Sequence, residues 1–147
     1  MPLNDFPYIS NDNRREIVSE ENRRKHVGLN PDNKCRVIHY RVDEVILQNQ
    51  KACDFILINE TDGIAFLIEL KGCRVDNAVD QLKTTEETLH EYLKNYKLQY
   101  RIVTSTSPSQ KSRTTSVKTS YSKIISLWEK KGQFKMSTTQ LIEKITQ

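Results

Sequence analysis

Asp54, Glu69 and Lys71 are the residues of this chain whose types and spacing could do chemistry. Each is a charge set in or beside an apolar, β-prone run, where burial alone would forbid it. Two carboxylates a few ångströms apart repel and raise each other's pKa unless a cation sits between them. A hard divalent ion such as Mg²⁺ or Mn²⁺ is held by one or two carboxylates, waters and the phosphate oxygens of a substrate. An ammonium beside it positions the attacking water and neutralises phosphate charge. The chemistry suggested is metal-dependent hydrolysis of a phosphodiester.

The element that must bring these residues together is a hairpin. Phe55 to Ile58 and Ile64 to Leu70 are apolar, β-branched and aromatic runs separated by a turn ending in Asp62-Gly63. They are apolar at consecutive positions, which predicts strands covered on both faces in a sheet flanked by helices. Side chains alternate along a strand, so Glu69 and Lys71 share a face and Leu70 takes the other. Antiparallel pairing about Thr61 or Asp62 puts Asp54 opposite a position between 68 and 71. The competing reading is an ion pair of Glu69 with Lys71 on an edge strand, with Asp54 merely opening a strand. Such pairs belong to alternating strands, not to continuous apolar ones.

Asp54, the apolar run, the turn, the second apolar run and Glu69-Leu70-Lys71 together resemble the PD-(D/E)XK nuclease superfamily, which includes restriction endonucleases, Holliday junction resolvases and RecB-type exonucleases. The resemblance covers Arg36 to Tyr96. It departs from the family pattern at Cys53, which replaces a proline, and at Thr85, which stands four residues after Gln81 where the RecB-like branch has tyrosine. The resemblance implies a restriction-endonuclease-like α/β core, a mixed central β-sheet flanked by helices. It implies Mg²⁺ or Mn²⁺ on Asp54 and Glu69 with the carbonyl of Leu70 as a further ligand, and Lys71 positioning the water. An acidic residue on the first helix often completes the metal site in that family; of Glu16, Glu20 and Glu21, Glu16, next to Ile17, is the favoured candidate, with a plain solvated helix face as the alternative for each. Gln81, near the end of the Lys71 strand, is placed to touch substrate, with a plain surface glutamine as the alternative.

The remaining elements follow from pattern. The 147 residues read as a single nuclease-like domain with an N-terminal arm and helix over 1–30, a catalytic core over 36–105 and a basic part over 106–147. Asn13 to Lys25 has helix-forming composition. Arg36 to Tyr40 and Val42 to Leu47 are β-prone. Val75, Ala78, Val79, Leu82, Leu89, Leu93 and Tyr96 form the apolar stripe of a long helix. Leu98 to Ser105 returns as a strand parallel to the one before the helix. Tyr121 to Lys131 is a second amphipathic helix ending at Gly132, with Trp128 in the core. Gln133 to Met136 is a short edge strand, and Ser137 to Ile145 opens with hydroxyl caps as a terminal helix.

Composition sets the class. With 36% hydrophobic and 29% charged residues the chain is globular. It has no apolar run of membrane-spanning length and no signal-peptide pattern, so a cytoplasmic location and no membrane partner are the default. Cys35, Cys53 and Cys73 lack metal-ligand spacing and read as buried reduced thiols. Between Lys97 and Met136 nine Lys or Arg face one acid, Glu129. The Ser- and Thr-rich stretch from Thr106 to Thr119, with Lys111, Arg113 and Lys118, suits contact with the phosphates of nucleic acid, most simply DNA. A mobile surface loop is the bland alternative. Cutting both strands of a duplex takes two sites, which a homodimer supplies. The expected function is a Mg²⁺-dependent deoxyribonuclease; the alternative is a non-catalytic nucleic-acid-binding module or an interaction subunit of a DNA-processing or defence complex.

Overall fold

The computed structural model describes residues 3, 5–70, 75–105 and 119–147. Its strands are β1 (Ser10–Asp12), β2 (Glu16–Glu21), β3 (Arg24–Leu29), β4 (Val37–Arg41), β5 (Phe55–Asn59), β6 (Ile64–Leu70), β7 (Lys97–Thr104), β8 (Phe134–Thr138) and β9 (Gln140–Lys144). Its helices are α1 (Val75–Thr88), α2 (His90–Leu93) and α3 (Thr119–Lys130).

The two apolar runs pair as the antiparallel hairpin β5–β6, and every residue of both strands is buried. Burial on both faces is why the runs are apolar at consecutive positions. Ile56, Ile58, Ala65 and Leu67 point to a core shared with Val75, Ala78, Val79 and Leu82 of α1. Phe55, Leu57, Phe66, Ile68 and Leu70 point the other way, against Ile17, Leu141 and Ile145. Three layers result: helices, a six-stranded mixed sheet in the order β1-β4-β5-β6-β7-β8, and a three-stranded sheet in the order β2-β3-β9. The class is mixed α/β.

The helix α1 carries the chain across the sheet so that β7 lies parallel to β6. The edge strand β8 is parallel to β7, so the large sheet holds two parallel pairs where sequence suggested one. Trp128 is buried as expected, stacked on Tyr100 with ring centroids 3.9 Å apart and on Phe134 at 5.9 Å. The apolar stripe of residues 75–96 is broken: α1 stops at Thr88, Leu89 leaves the helical region, and α2 begins at His90.

Two expected helices are strands. Residues 13–25 contribute β2 and the first two residues of β3. Ile17 and Ser19 are buried while Glu16, Val18 and Glu20 are exposed, a period of 2 and not 3.6. Residues 137–145 close β8 and form β9, in which Leu141 and Glu143 are buried between exposed neighbours. Residues 42–47 form turns closed by an isolated bridge from Asp43 to Leu47, not a strand.

The small sheet lies close on the large one at Gly28. A Cβ there would stand 3.0 Å from Ile145 Cγ2 and 3.1 Å from Leu57 Cδ1. Gly28→Val is expected to destabilise the fold by about 1–3 kcal/mol through overpacking, read as a lower urea midpoint at unchanged slope.

Candidate active site

The site is built where β5 begins and β6 ends. Phe55 pairs with Ile68, and Asp54 lies one residue before β5, across from the end of β6. The Asp54 N–H donates to the Ile68 carbonyl at 3.1 Å, and its Oδ2 accepts from the Leu70 N–H at 2.8 Å. The carboxylate is thereby pinned across the hairpin rather than free to rotate. Glu69 continues the face of Ala65 and Leu67 toward the helices and is 1% exposed; Asp54 is 6% exposed. Leu70 sits in the opposite core. The opposite facing of Glu69 and Leu70 is what the strand register gives, and the Asp54 contacts fall on Ile68 and Leu70, inside the expected span of 68 to 71.

Two further side chains arrive from elements that sequence misplaced. Glu21, the last residue of β2, hydrogen-bonds the Asp54 carboxyl. Arg41, the last residue of β4, donates from Nη2 to Glu21 Oε1 at 3.0 Å and lies 3.8 Å from Asp54 Oδ1. The Arg41 guanidinium is also 4.8 Å above the Phe55 ring, which fixes its plane. Arg24, paired with Glu21 across the β2–β3 hairpin, donates from Nε to the Leu70 carbonyl at 3.1 Å.

These contacts set the protonation. Burial first, and then the Glu21 carboxyl, push Asp54 up to about 7, against the Leu70 N–H and Arg41, which favour its ionised form. Glu21 moves the opposite way: burial raises it, but its hydrogen bonds to Asp54 and Arg41 and the charges of Arg41 and Arg24 win and hold it below the ordinary range. Of the two carboxyls, Asp54 is the one that keeps its proton to the higher pH. Cys53 is driven far up, by burial and then by the negative charge of Glu69 and Asp54. It is an inert core thiol, and Cys35 is likewise free and buried.

Of the residues singled out from sequence, the structure joins Asp54 to Leu70 by a hydrogen bond, with Glu69 lying in the chain between the two residues that Asp54 bonds, Ile68 and Leu70. Glu16 is at the far end of β2 from Glu21, about 16 Å away along an extended strand, and is exposed. It is Glu21 that meets Asp54. Gln81 is in the second turn of α1, half-buried, with an Oε1 that is buried and has no hydrogen-bond partner among the described residues. Lys71, Lys111, Arg113 and Lys118 lie outside the described residues. Arg41 and Arg24 carried no signal of their own, since a strand-end arginine is ordinary until its partners are known.

Other buried ionisable groups occupy the seam between the sheets. Ser19 and His39 Nε2 are 2.8 Å apart. Burial lowers His39 to about 4, so its ring is neutral, and Ser19 is wholly enclosed, which leaves no access for a substrate. His26 Nε2 and Arg101 Nε each lie 2.7 Å from Glu143 Oε2. These clusters hold the sheets together.

Among the described residues no three His, Cys, Asp or Glu side chains are grouped to hold a metal ion by themselves. The donors at the site are carboxylate and carbonyl oxygens only, a set suited to a hard cation that keeps part of its water shell. No helix among the described residues is long and apolar enough to cross a membrane. Comparison of the chain with protein-family models, with curated proteins and with solved structures gave no match in any of the three, so the reading of this site rests on its own geometry.

Proposed function

We propose that the chain is a metal-dependent nuclease that hydrolyses phosphodiester bonds of DNA, built on a restriction-endonuclease-like core. The observation that carries this reading is the buried carboxylate Asp54, held at about 7 beside Glu21 and pinned to Leu70, the residue after the buried Glu69, at the end of a two-sided buried hairpin. Carboxylates kept in such surroundings cost stability, and strongly perturbed ones gather at functional sites.

Asp54, Glu69 and the Leu70 carbonyl would hold Mg²⁺ or Mn²⁺, with Glu21 taking the part first assigned to Glu16. A bound ion of this kind supplies Lewis-acid polarisation of the phosphate and lowers the pKa of water. The chain's own groups do the rest. The Leu70 N–H fixes Asp54 Oδ2, and Arg24 fixes the Leu70 carbonyl from the other side. Arg41 holds Glu21 against Asp54. Lys71, two residues after Glu69 in the chain, positions the attacking water. Gln81, at the start of α1, contacts the substrate, and Lys111, Arg113 and Lys118 bind its phosphates. A homodimer supplies the second site for duplex cleavage.

The direct test is incubation of supercoiled plasmid and of a labelled single strand with Mg²⁺ or Mn²⁺, using the wild type, Glu69→Gln and Lys71→Ala. Cleavage that requires metal and is lost in both variants is expected. Wild-type protein that binds DNA with a steep salt dependence but leaves it intact would replace this reading with that of a binding module.

A further inference from the structure

At the tip of the β2–β3 hairpin a cleft of about 290 Å³ is lined by Asn22, Arg23, Arg24, Ser105 and Thr139. We propose that this cleft binds a backbone phosphate of the nucleic acid, adjacent to the one attacked at Asp54 and Glu69. The proposal deepens the nuclease reading and rests on it for the identity of the polymer.

Three observations carry it. The first is the lining itself. Among the described residues it combines two guanidinium groups, an amide and two hydroxyls, and no carboxylate. Guanidinium groups match phosphate oxygens with paired, charge-assisted hydrogen bonds, and hydroxyls complete such a shell.

The second is where the cleft lies. The parallel strands β6, β7 and β8 all end at this edge, with Leu70 paired to Val103 and Thr104 to Thr138. Ser105 and Thr139 are the next residues beyond those ends. Ligands of open α/β sheets bind outside the carboxyl ends of their strands. Arg24 joins the cleft to the catalytic carboxylates through one residue, since it holds the Leu70 carbonyl while Asp54 holds the Leu70 N–H. A phosphate in the cleft and a phosphate at Asp54 are thus linked through the backbone of one residue, Leu70, by its carbonyl and its N–H.

The third is backbone strain. The hairpin turns through two residues, Asn22 at φ 48° and Arg23 at φ 68°. A two-residue turn with both central φ values positive favours Asn followed by Gly, because a Cβ at the second position is strained. Asparagine stands where the turn wants it, but arginine stands where the turn wants glycine. An exposed side chain kept at a strained position points to a function of that side chain.

The test separates the turn from the side chain. Arg23→Gly keeps the hairpin and relieves the left-handed strain, so its Tm is expected to rise. In EDTA, where nothing is cut, its affinity for a short fluorescent DNA duplex is expected to fall on the order of tenfold, the loss of one charge-assisted contact. The slope of log affinity against log salt is expected to fall by about 1, and Arg23→Lys restores it. Unchanged affinity and slope in Arg23→Gly overturn the proposal. So does a wild type whose Tm is raised by inorganic phosphate while its DNA affinity ignores residue 23, because the cleft then serves a free phosphate. Wild-type protein that binds DNA through Arg23 but does not cut it overturns the nuclease reading and leaves the cleft standing. Metal-dependent cleavage with an unaltered KM in Arg23→Gly does the reverse.

Discussion

Asp54→Asn is expected to abolish metal-dependent cleavage and, at pH 8, to raise Tm. The substituted amide keeps an oxygen that accepts from the Leu70 N–H, so the geometry of the hairpin end survives. It loses the negative charge that a cation needs. Partners that only orient a metal ligand are worth about 10- to 100-fold, so a loss of at least a hundredfold is the floor for a ligand itself. The stability gain follows from titration. Unfolded, this carboxyl has its ordinary value of 3.8; folded, burial and the neighbouring Glu21 lift it to about 7. Between those values the folded chain binds more proton than the unfolded one, so stability falls as pH rises through that window. The depressed Glu21 offsets part of the cost above its own unfolded value. Asparagine carries no such cost, so the gain of the variant is absent near pH 4 and grows toward pH 8. Mg²⁺ acts on the wild type in the same direction: it should raise Tm more at pH 8 than at pH 5 and should leave Asp54→Asn unmoved at either. A variant with lower Tm at pH 8, or with the same response to Mg²⁺ as the wild type, would place the cation elsewhere.

The parts of this fold that could be read in the sequence are those whose burial is two-sided. Phe55 to Ile58 and Ile64 to Leu70 left no polar face, so only a covered hairpin accommodates them, and its turn sets Asp54 across from residues 68 to 71, where it bonds Ile68 and Leu70. The small sheet was hidden for the opposite reason. The inward positions of β2 and β3 include Ser19, His26 and Gly28, which look like surface residues. They are buried because partners remote in sequence satisfy them: His39 for Ser19, and Glu143, 117 residues away, for His26. No local window contains those partners. A helix over residues 13–25 favours Glu16 through its apolar neighbour Ile17; as a strand, the same segment carries Glu21 to Asp54 and leaves Glu16 exposed at its other end. The terminal strand β9 misled in the same way. Its hydroxyl-rich lead-in, Ser137 and Thr138, suggested caps, whereas Thr139 at φ 69° makes the turn that sends the chain into a second sheet.

That terminal strand also carries the residue whose loss should cost the fold most. Glu143 is 7% exposed, and its Oε2 receives both His26 Nε2 and Arg101 Nε at 2.7 Å while Lys135 Nζ approaches Oε1 at 3.4 Å. Arg101 is also tied to the carbonyls of Tyr100 and Gln133 and lies over the Phe66 ring. One carboxylate thus joins β3, β7 and β9 across the seam between the sheets. Burial raises Glu143, but the hydrogen bonds from His26 and Arg101 overwhelm it and bring it to about 2. Removing one member of a buried ion cluster leaves the others charged and desolvated, at about 3–5 kcal/mol. Glu143→Ala is therefore expected to unfold at a much lower urea concentration than the wild type, with β9 released first. The wild type should show the same loss under acid. A carboxyl depressed from 4.5 to about 2 contributes fully above pH 4.5, and that contribution disappears as pH falls toward 2. Glu143→Gln separates the causes, since its amide oxygen still accepts from Arg101 but cannot balance the guanidinium charge. An acid-stability profile of Glu143→Gln that is flat between pH 5 and 3 where the wild type falls, combined with a lower midpoint at neutral pH, is the expected result. Equal midpoints for wild type and Glu143→Ala at pH 7 would mean that the seam is held by its apolar contacts at Ile17, Leu57, Phe66, Leu141 and Ile145 alone.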